Sequence, residues 1–307
     1  MTAKLIDGRA LARRVRSEYR MRVERLVARH GRVPGLAVIL VGDDPASHVY
    51  VSHKTRACAE VGLQSHVHRF GTEVSQAEVL ACIAALNSDL SIDGILIQLP
   101  LPKHFELPLV LGSIARDKDV DGFHLYNVGA LVAGDAVFPP CTPYGVQKLL
   151  EAEGIPVAGQ NVTVVGASNI VGKPMALMMI RQQATVALCH ARTRDLAEFT
   201  TLADILIVAA GFPNLIRSPM VRPGAVVIDV GINRLPSGQL VGDVDFEGVR
   251  QVASHITPVP GGVGPMTVTM LVCNTVGSAE RRWGNELGVE KTYGADESRA
   301  NSEGEKT

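Results

Sequence analysis

The sequence predicts an α/β chain of two domains, an N-terminal α/β domain and a second, doubly wound one, with a C-terminal helix that packs back on the first. Three observations predict it. Short apolar runs rich in β-branched residues alternate with helix-period segments in two successive blocks. The stretch Phe138-Pro139-Pro140-Cys141-Thr142-Pro143 interrupts that rhythm and reads as the interdomain connection. With 307 residues, 46% of them hydrophobic and 20% charged, the chain can bury one large or two modest cores.

The elements follow in order. Asp7 reads as a helix N-cap, with Leu11, Val15 and Tyr19 recurring every fourth residue behind it. Arginines crowd this stretch as they do in transit peptides, but Asp7 and Glu18 lie among them, which argues against a targeting segment. Residues 35–41 then form a buried strand, 46–61 a helix, 63–70 a strand, 76–87 a helix and 94–98 a strand. That β-α-β-α-β order predicts a parallel sheet whose ligands gather at the carboxyl ends of its strands.

After the prolines a helical pattern resumes at 144–153 and the second block begins. It contains strands at 161–165, 185–189, 205–209 and 225–230, with helices from about Val171 and near 196–202. Past the loop 257–265, Val268, Leu271, Val272 and Thr275 stand at helical spacing. From Asn285 onward the chain is rich in Glu, Gly and Ser and should stay disordered. The expected division is therefore 1–140 with the returning helix 266–284, then 141–265, then a tail at 285–307.

A formal charge of -1, with acidic and basic residues interspersed, excludes a long-range field for nucleic acid or anionic lipid and leaves small molecules as the expected partners. No apolar run is long enough to span a bilayer. The five cysteines are widely spaced and contain no C-x-x-C pair, which points to a reducing, cytoplasmic setting and away from a disulfide framework or a zinc site.

Val162-Thr163-Val164-Val165-Gly166-Ala167-Ser168-Asn169-Ile170-Val171-Gly172-Lys173-Pro174 reads as strand, turn and helix start. Gly166 permits a tight turn, and a helix N-terminus there offers unpaired N–H groups to a pyrophosphate. The pattern departs from G-x-G-x-x-G, since Ser168 holds the middle glycine position, and alone it is a weak signal that an ordinary packing turn also produces. The next strand favours a Rossmann-like reading. Where a ribose-binding carboxylate would indicate NAD, Cys189 is followed by His190, Ala191, Arg192, Thr193 and Arg194, whose positive charge suits the 2′-phosphate of NADP. Asp195 reads as a helix cap, not a ribose ligand. Further on, Asp229-Val230-Gly231-Ile232-Asn233 ends a strand with a glycine where a cofactor ring can approach the backbone.

In the first block, Tyr50 and Lys54 are four residues apart, so on a helix an aromatic ring and an amine share one face. A surface lysine beside a half-buried tyrosine is the ordinary reading of such a pair. His53 is one position off that face and reads as solvated. Gln98 ends a buried strand just before Leu99-Pro100-Leu101-Pro102, and Asp117-Lys118-Asp119-Val120-Asp121-Gly122 gathers three carboxylates in one loop. Their spacing superficially matches a calcium loop, but the twelfth position is Val128, not a glutamate.

Taken jointly, these segments with Pro45-Ala46-Ser47, Pro140-Cys141-Thr142-Pro143, Gly242-Asp243-Val244 and the run from Thr257 through Pro260, Gly261 and Gly262 to Thr267 resemble the bifunctional methylenetetrahydrofolate dehydrogenase/cyclohydrolase family over residues 1–284. The resemblance implies NADP-dependent oxidation of 5,10-methylenetetrahydrofolate and hydrolysis of the methenyl product to 10-formyltetrahydrofolate, by a homodimer. It implies Lys54 as the catalytic amine, Tyr50 stacking on the folate, Gln98 adjusting the lysine and Asp121 holding the pterin. Leu99, Pro100, Pro260, Gly261 and Gly262 would complete the folate site. Gly166, Ala167, Ser168, Ala191, Arg192, Thr193 and Ile232 would line the NADP site. Ala167 is a departure, because many family members carry an arginine there, and the phosphate would instead fall to Arg192 or Thr193. Two other readings compete. One is a two-domain oxidoreductase similar to shikimate dehydrogenase, which explains Lys54 but neither Tyr50 nor the 260–265 loop. The other is a silent nucleotide-binding regulator, against which the joint presence of Lys54, Gln98 and Asp121 argues.

Overall fold

The computed structural model describes residues 2–134 and 137–286. The chain opens with a two-residue strand, β1 (Lys4–Leu5), and a long helix, α1 (Gly8–His30). Asp7 caps that helix, its carboxylate accepting from the Ala10 N–H at 3.0 Å. Next come β2 (Gly35–Val41), α2 (Pro45–Val61), β3 (Gln64–Phe70), α3 (Gln76–Ser88) and β4 (Gly94–Ile97). The three strands run parallel in the order β3-β2-β4.

Every residue of β2 is buried because it is the middle strand, covered on both faces, which is why its sequence is continuously apolar. Each such Val, Ile or Leu contributes about 1.5–3 kcal/mol on burial. The edge strand β3 alternates instead. Strand β4 ends one residue earlier than the sequence suggests, although the Gln98 N–H still donates to the Ile39 carbonyl at 2.9 Å.

Two short helices, α4 (Leu107–Gly112) and α5 (Leu125–Ala133), lead to α6 (Cys141–Ala152). That helix starts three residues before the expected Tyr144, because Pro143 falls in its first turn, where a missing N–H costs nothing. The second block alternates as expected: β5 (Asn161–Val165), α7 (Gly172–Arg181), β6 (Thr185–Cys189), α8 (Ala197–Thr200), β7 (Ile205–Val208) and β8 (Val226–Asp229). A small hairpin, β9 (Asn233–Arg234) with β10 (Leu240–Val241), then α9 (Phe246–Val249), β11 (His255–Ile256) and α10 (Val263–Glu286) complete the described residues.

The second sheet is β1-β11-β8-β7-β5-β6. Its outer member is unexpected. Strand β1 pairs in parallel with β11, so the first residues of the chain belong to the second sheet, not to the unit assigned to 1–140. Two exposed residues carry no periodicity that would reveal this.

Helix α10 returns to the first sheet. Buried Asp93 accepts from Arg282 and from the Trp283 indole, each at 3.0 Å, and Asn274 donates to the Val120 carbonyl at 2.8 Å. Apolar residues of α1, α2, α6, α10 and both sheets form one continuous core, with a smaller satellite on the far side of each sheet. The polar tail expected from Asn285 begins within the last turn of α10 and otherwise lies outside the described residues. Among the described residues no helix is long and apolar enough to cross a membrane.

Candidate active site

Helix α2 leaves the carboxyl end of β2 through Asp44, whose carboxylate accepts from the Ser47 N–H at 2.9 Å and the Ser47 hydroxyl at 2.8 Å. Those bonds hold the exposed carboxyl below its usual range. The cap fixes where the helix begins, and therefore which face turns inward. Half-buried Tyr50 and Lys54 lie on that face, and the Lys54 Nζ donates to the Gln98 Oε1 at 3.0 Å. Gln98, 8% exposed, is delivered by the ladder that continues past β4.

Asp121 arrives by a different route. The Ile95 N–H donates to the Lys118 carbonyl at 2.7 Å, and Ile95 bridges Asp119 in parallel, so the loop runs alongside β4 toward the same edge. Buried Asp119 accepts from the His124 N–H at 2.8 Å and from Asn127 at 2.7 Å, which makes it a structural carboxylate. Lys118 is structural too, its amine donating to the carbonyls of Leu86 and Asp89 at 2.9 and 2.7 Å. On either side of Asp121 the backbone is pinned: Asn274 and the Cys141 thiol both donate to the Val120 carbonyl, and at Gly122 (φ 75°) a Cβ would crowd the Pro140 nitrogen. Desolvation raises the Asp121 carboxyl, opposed by the nearby charge of Lys54.

Beside this cluster opens a cleft of about 540 Å³ between α2, the end of β8 and the loop into α10. Tyr50, Ile232, Pro260, Gly261 and Gly262 line it, while Lys54, Gln98 and Asp121 do not. The expected folate residues therefore fall into an amine–amide–carboxylate cluster and a cleft wall, joined through Tyr50 one helical turn from Lys54. Leu99 is half-buried and Pro100 exposed beyond Gln98, and both Leu99–Pro100 and Val259–Pro260 are cis.

The nucleotide residues collect at the carboxyl ends of β5 and β6. Val165 pairs with Cys189, and the Gly166 N–H donates to the Cys189 carbonyl at 2.9 Å, which brings Gly166, Ala167 and Ser168 beside 190–193. Gly166 turns at φ 110°, and a Cβ there would strike the Ala209 carbonyl oxygen. One expectation is corrected. The first N–H groups of α7 are already paired, Val171 and Gly172 with the Ser168 hydroxyl and Lys173 with the Ser168 carbonyl, while Pro174 has none. The donors left for a pyrophosphate lie earlier in the turn: among the described residues nothing accepts from the N–H of Ala167 or Ser168. Asp195 does not cap the next helix, whose N-cap is Leu196; its carboxylate instead closes the turn before it by accepting from the Ala197 N–H at 2.9 Å. Thr193 is occupied in closing its turn on the His190 N–H at 3.0 Å. The exposed Arg192 has no acidic partner among the described residues, and exposed Ala191 lies beside it. Unpaired loop donors and an uncommitted arginine fit a phosphorylated dinucleotide.

Several contributors went unrecognised in the sequence. Asp229 accepts from the N–H groups of Gly231, Asp243 and Val244, and Asp243 in turn from Ala210 and Gly211 at 2.6 and 2.8 Å. This pair ties together the ends of β7 and β8, where Ile232 projects. Burial pushes the Asp229 carboxyl up to about 7 against those N–H groups. The motif Gly242-Asp243-Val244 marked the spot without revealing its task. Asn274 was visible only as a lone amide in the apolar run of α10.

The family model for the tetrahydrofolate dehydrogenase/cyclohydrolase catalytic domain matches residues 6–121, and that for the NAD(P)-binding domain matches residues 140–283. The chain is 60% identical over 281 residues to the bifunctional protein FolD of Nitrosospira multiformis, covering 92% of this chain and 97% of the relative. The bifunctional FolD of Campylobacter jejuni superposes with a TM-score of 0.89 at 53% identity, over 91% of this chain and 99% of that one. A Trypanosoma brucei FolD, solved with NADP and an inhibitor, gives a TM-score of 0.89 at 37% identity, over 92% and 99%. The chain belongs to the tetrahydrofolate dehydrogenase/cyclohydrolase family.

Proposed function

We propose that Lys54, Gln98 and Asp121 serve the two reactions of this family in this chain: oxidation of 5,10-methylenetetrahydrofolate to the 5,10-methenyl cation with NADP, and hydrolysis of that cation to 10-formyltetrahydrofolate. The observation that carries this reading is the convergence of Lys54 on Gln98 at 3.0 Å, with Asp121 close enough to feel its charge.

The N–H groups of Ala167 and Ser168 and the Arg192 guanidinium would hold NADP, which would supply the hydride acceptor. Loss of hydride from a carbon between two nitrogens leaves a cation that both lone pairs stabilise, and no proton leaves carbon. The chain therefore needs no strong base for this half; its task is to hold the folate bridge facing Ile232 and the end of β8. Tyr50 supplies a flat surface for the pterin and Asp121 a carboxylate for its N–H edge.

Hydrolysis requires more. Water attacking the bridging carbon must lose a proton, and a ring nitrogen must gain one as the C–N bond breaks. Lys54 takes the first proton and returns it to the nitrogen, while the hydroxyl left on the bridging carbon releases its own proton to solvent as the formyl C=O forms. Gln98 orients the amine with a neutral oxygen, which does not trap the ammonium as a carboxylate would.

A homodimer in the cytoplasm completes the reading. Strand β6 ends the second sheet with Leu188 38% exposed, and Ile180 of α7 is 54% exposed, an edge suited to a second copy. All five cysteines are free thiols, in keeping with a reducing compartment.

The decisive assay follows NADPH formation from methylenetetrahydrofolate, with NAD run in parallel and formyltetrahydrofolate measured in the same mixture. Reduction of NADP accompanied by the formyl product is expected. Absence of either would contradict the reading.

A further inference from the structure

Two buried carboxylates, Asp229 and Asp243, sit past the ends of β7 and β8, and the chemistry assigned above uses neither. Asp243 has no exposure. One of its oxygens accepts from the N–H groups of Ala210 and Gly211 at 2.6 and 2.8 Å, the other from the Asn233 side chain at 2.8 Å. Its own N–H donates to Asp229 at 3.0 Å, and the Asp229 N–H donates in turn to the Thr257 hydroxyl at 2.8 Å. The loops that leave β7, β8 and β11 are thereby joined to one another. The carboxylates also fill the space that side chains would need: a Cβ at Gly231 would strike the Asp243 carboxyl, and one at Gly242 would strike that of Asp229. Buried carboxylates are costly unless fully bonded, so such a network holds its loops to one geometry.

Strand order gives that geometry a consequence for the dinucleotide. The free N–H groups of Ala167 and Ser168 and the Arg192 guanidinium lie past β5 and β6, and the sheet continues from β5 to β7 and β8. A dinucleotide whose phosphates lie at β5 and β6 extends its other half along the strand ends toward β7 and β8, where Asp243 acts. On one side, the Ala209 carbonyl lies against Gly166, so the loop after β7 is wedged between the nucleotide turn and the Asp243 carboxylate. On the other, Ile232 stands between Gly231 and Asn233, both held by the network, and lines the cleft with 41% of its surface exposed. An apolar side chain kept in the open by a rigid frame suits a flat ring that is oriented by contact.

We propose that Asp243, through Asn233 and the backbone of Ala210 and Gly211, is a positioning residue for hydride transfer: it sets the loops after β7 and β8 so that the nicotinamide half of NADP faces the folate bridge, and it has no part in hydrolysis. The inference rests on the NADP reading above. Asp243 acts through these loops and not by touching either substrate.

The test compares full-length purified wild type and Asp243→Ala in three ways: NADP reduction, hydrolysis of methenyltetrahydrofolate without NADP, and equilibrium binding of adenosine 2′,5′-bisphosphate, a probe of the adenosine half alone. In the variant, kcat for NADP reduction is expected to fall roughly ten- to a hundredfold. The isotope effect with substrate deuterated at the bridging carbon should rise with it, because a misplaced acceptor makes hydride transfer the slow step. Hydrolysis and bisphosphate binding are expected to stay within about twofold of the wild type. If Asp243→Ala does not fold, Asn233→Asp sets two carboxylates against each other and should show the same selective loss, and adding Asp243→Asn to it should restore reduction by exchanging donor and acceptor. Reduction and hydrolysis that fall in parallel, with the isotope effect unchanged, would overturn the proposal by making Asp243 a purely structural carboxylate. Unaltered reduction would overturn it too, as would loss of bisphosphate binding. A wild type that hydrolyses methenyltetrahydrofolate but does not reduce NADP would instead remove the NADP reading, and this inference with it.

Discussion

The Lys54 amine meets the Gln98 side-chain oxygen at 3.0 Å while the same amide donates its N–H to the Leu99 carbonyl at 2.7 Å. The second bond decides the first. With its nitrogen committed to a backbone carbonyl, the Gln98 amide has one orientation, and that orientation gives the amine an acceptor without a charge.

Gln98→Glu tests this directly. A carboxylate in that place holds the proton on the amine and loses the donor to Leu99. Hydrolysis of methenyltetrahydrofolate at neutral pH is expected to fall by roughly ten- to a hundredfold, with the dehydrogenase reduced less. Parental hydrolysis in the variant would show that the neutrality of this partner is irrelevant.

Asp121 should act chiefly in binding. Asp121→Ala removes a carboxylate matched to the pterin N–H edge, and the KM for folate is expected to rise roughly ten- to a hundredfold in both reactions. An unchanged KM with a reduced kcat would instead place this residue in the chemistry.

Asp229 makes stability depend on pH. Its folded carboxyl is raised to about 7 from a model-peptide value near 3.9, so the native state keeps a proton that the unfolded chain releases. Stability linked to this group is present in full below the unfolded value and is lost as pH rises through about 7. In Asp229→Asn, which does not titrate, the deficit in thermal midpoint relative to the wild type should narrow between pH ~4 and pH ~7. A deficit that is constant across that range would contradict the assignment.

Trp283 anchors the returning helix. The ring is buried and its indole N–H reaches Asp93, a carboxylate with no exposure. Trp283→Phe keeps much of the packing but leaves that acceptor short of one donor, and urea unfolding should register a loss of about 1–3 kcal/mol. A midpoint equal to that of the wild type would mean Arg282 and the Gly35 N–H satisfy Asp93 alone.

Much of this was legible in the sequence, for identifiable reasons. Strand β2 is buried on both faces, so its run of seven apolar residues could hardly be misread. Tyr50 and Lys54 share a face because helical spacing requires it. Strand β1 escaped notice because only its partner β11 makes it a strand, and the early start of α6 because prolines serve a first helical turn as readily as a loop. At the nucleotide turn the expected residues come together but the free donors lie elsewhere than the sequence suggests, since only the folded chain shows that Ser168 itself takes up the N–H groups of α7.

The central claim is that Lys54 is the proton-transfer group of the hydrolysis, and Lys54→Met tests it most directly. Purified variant should bind folate and NADP yet leave methenyltetrahydrofolate unconverted beyond its background rate. Conversion to the formyl product at the parental rate would contradict the account.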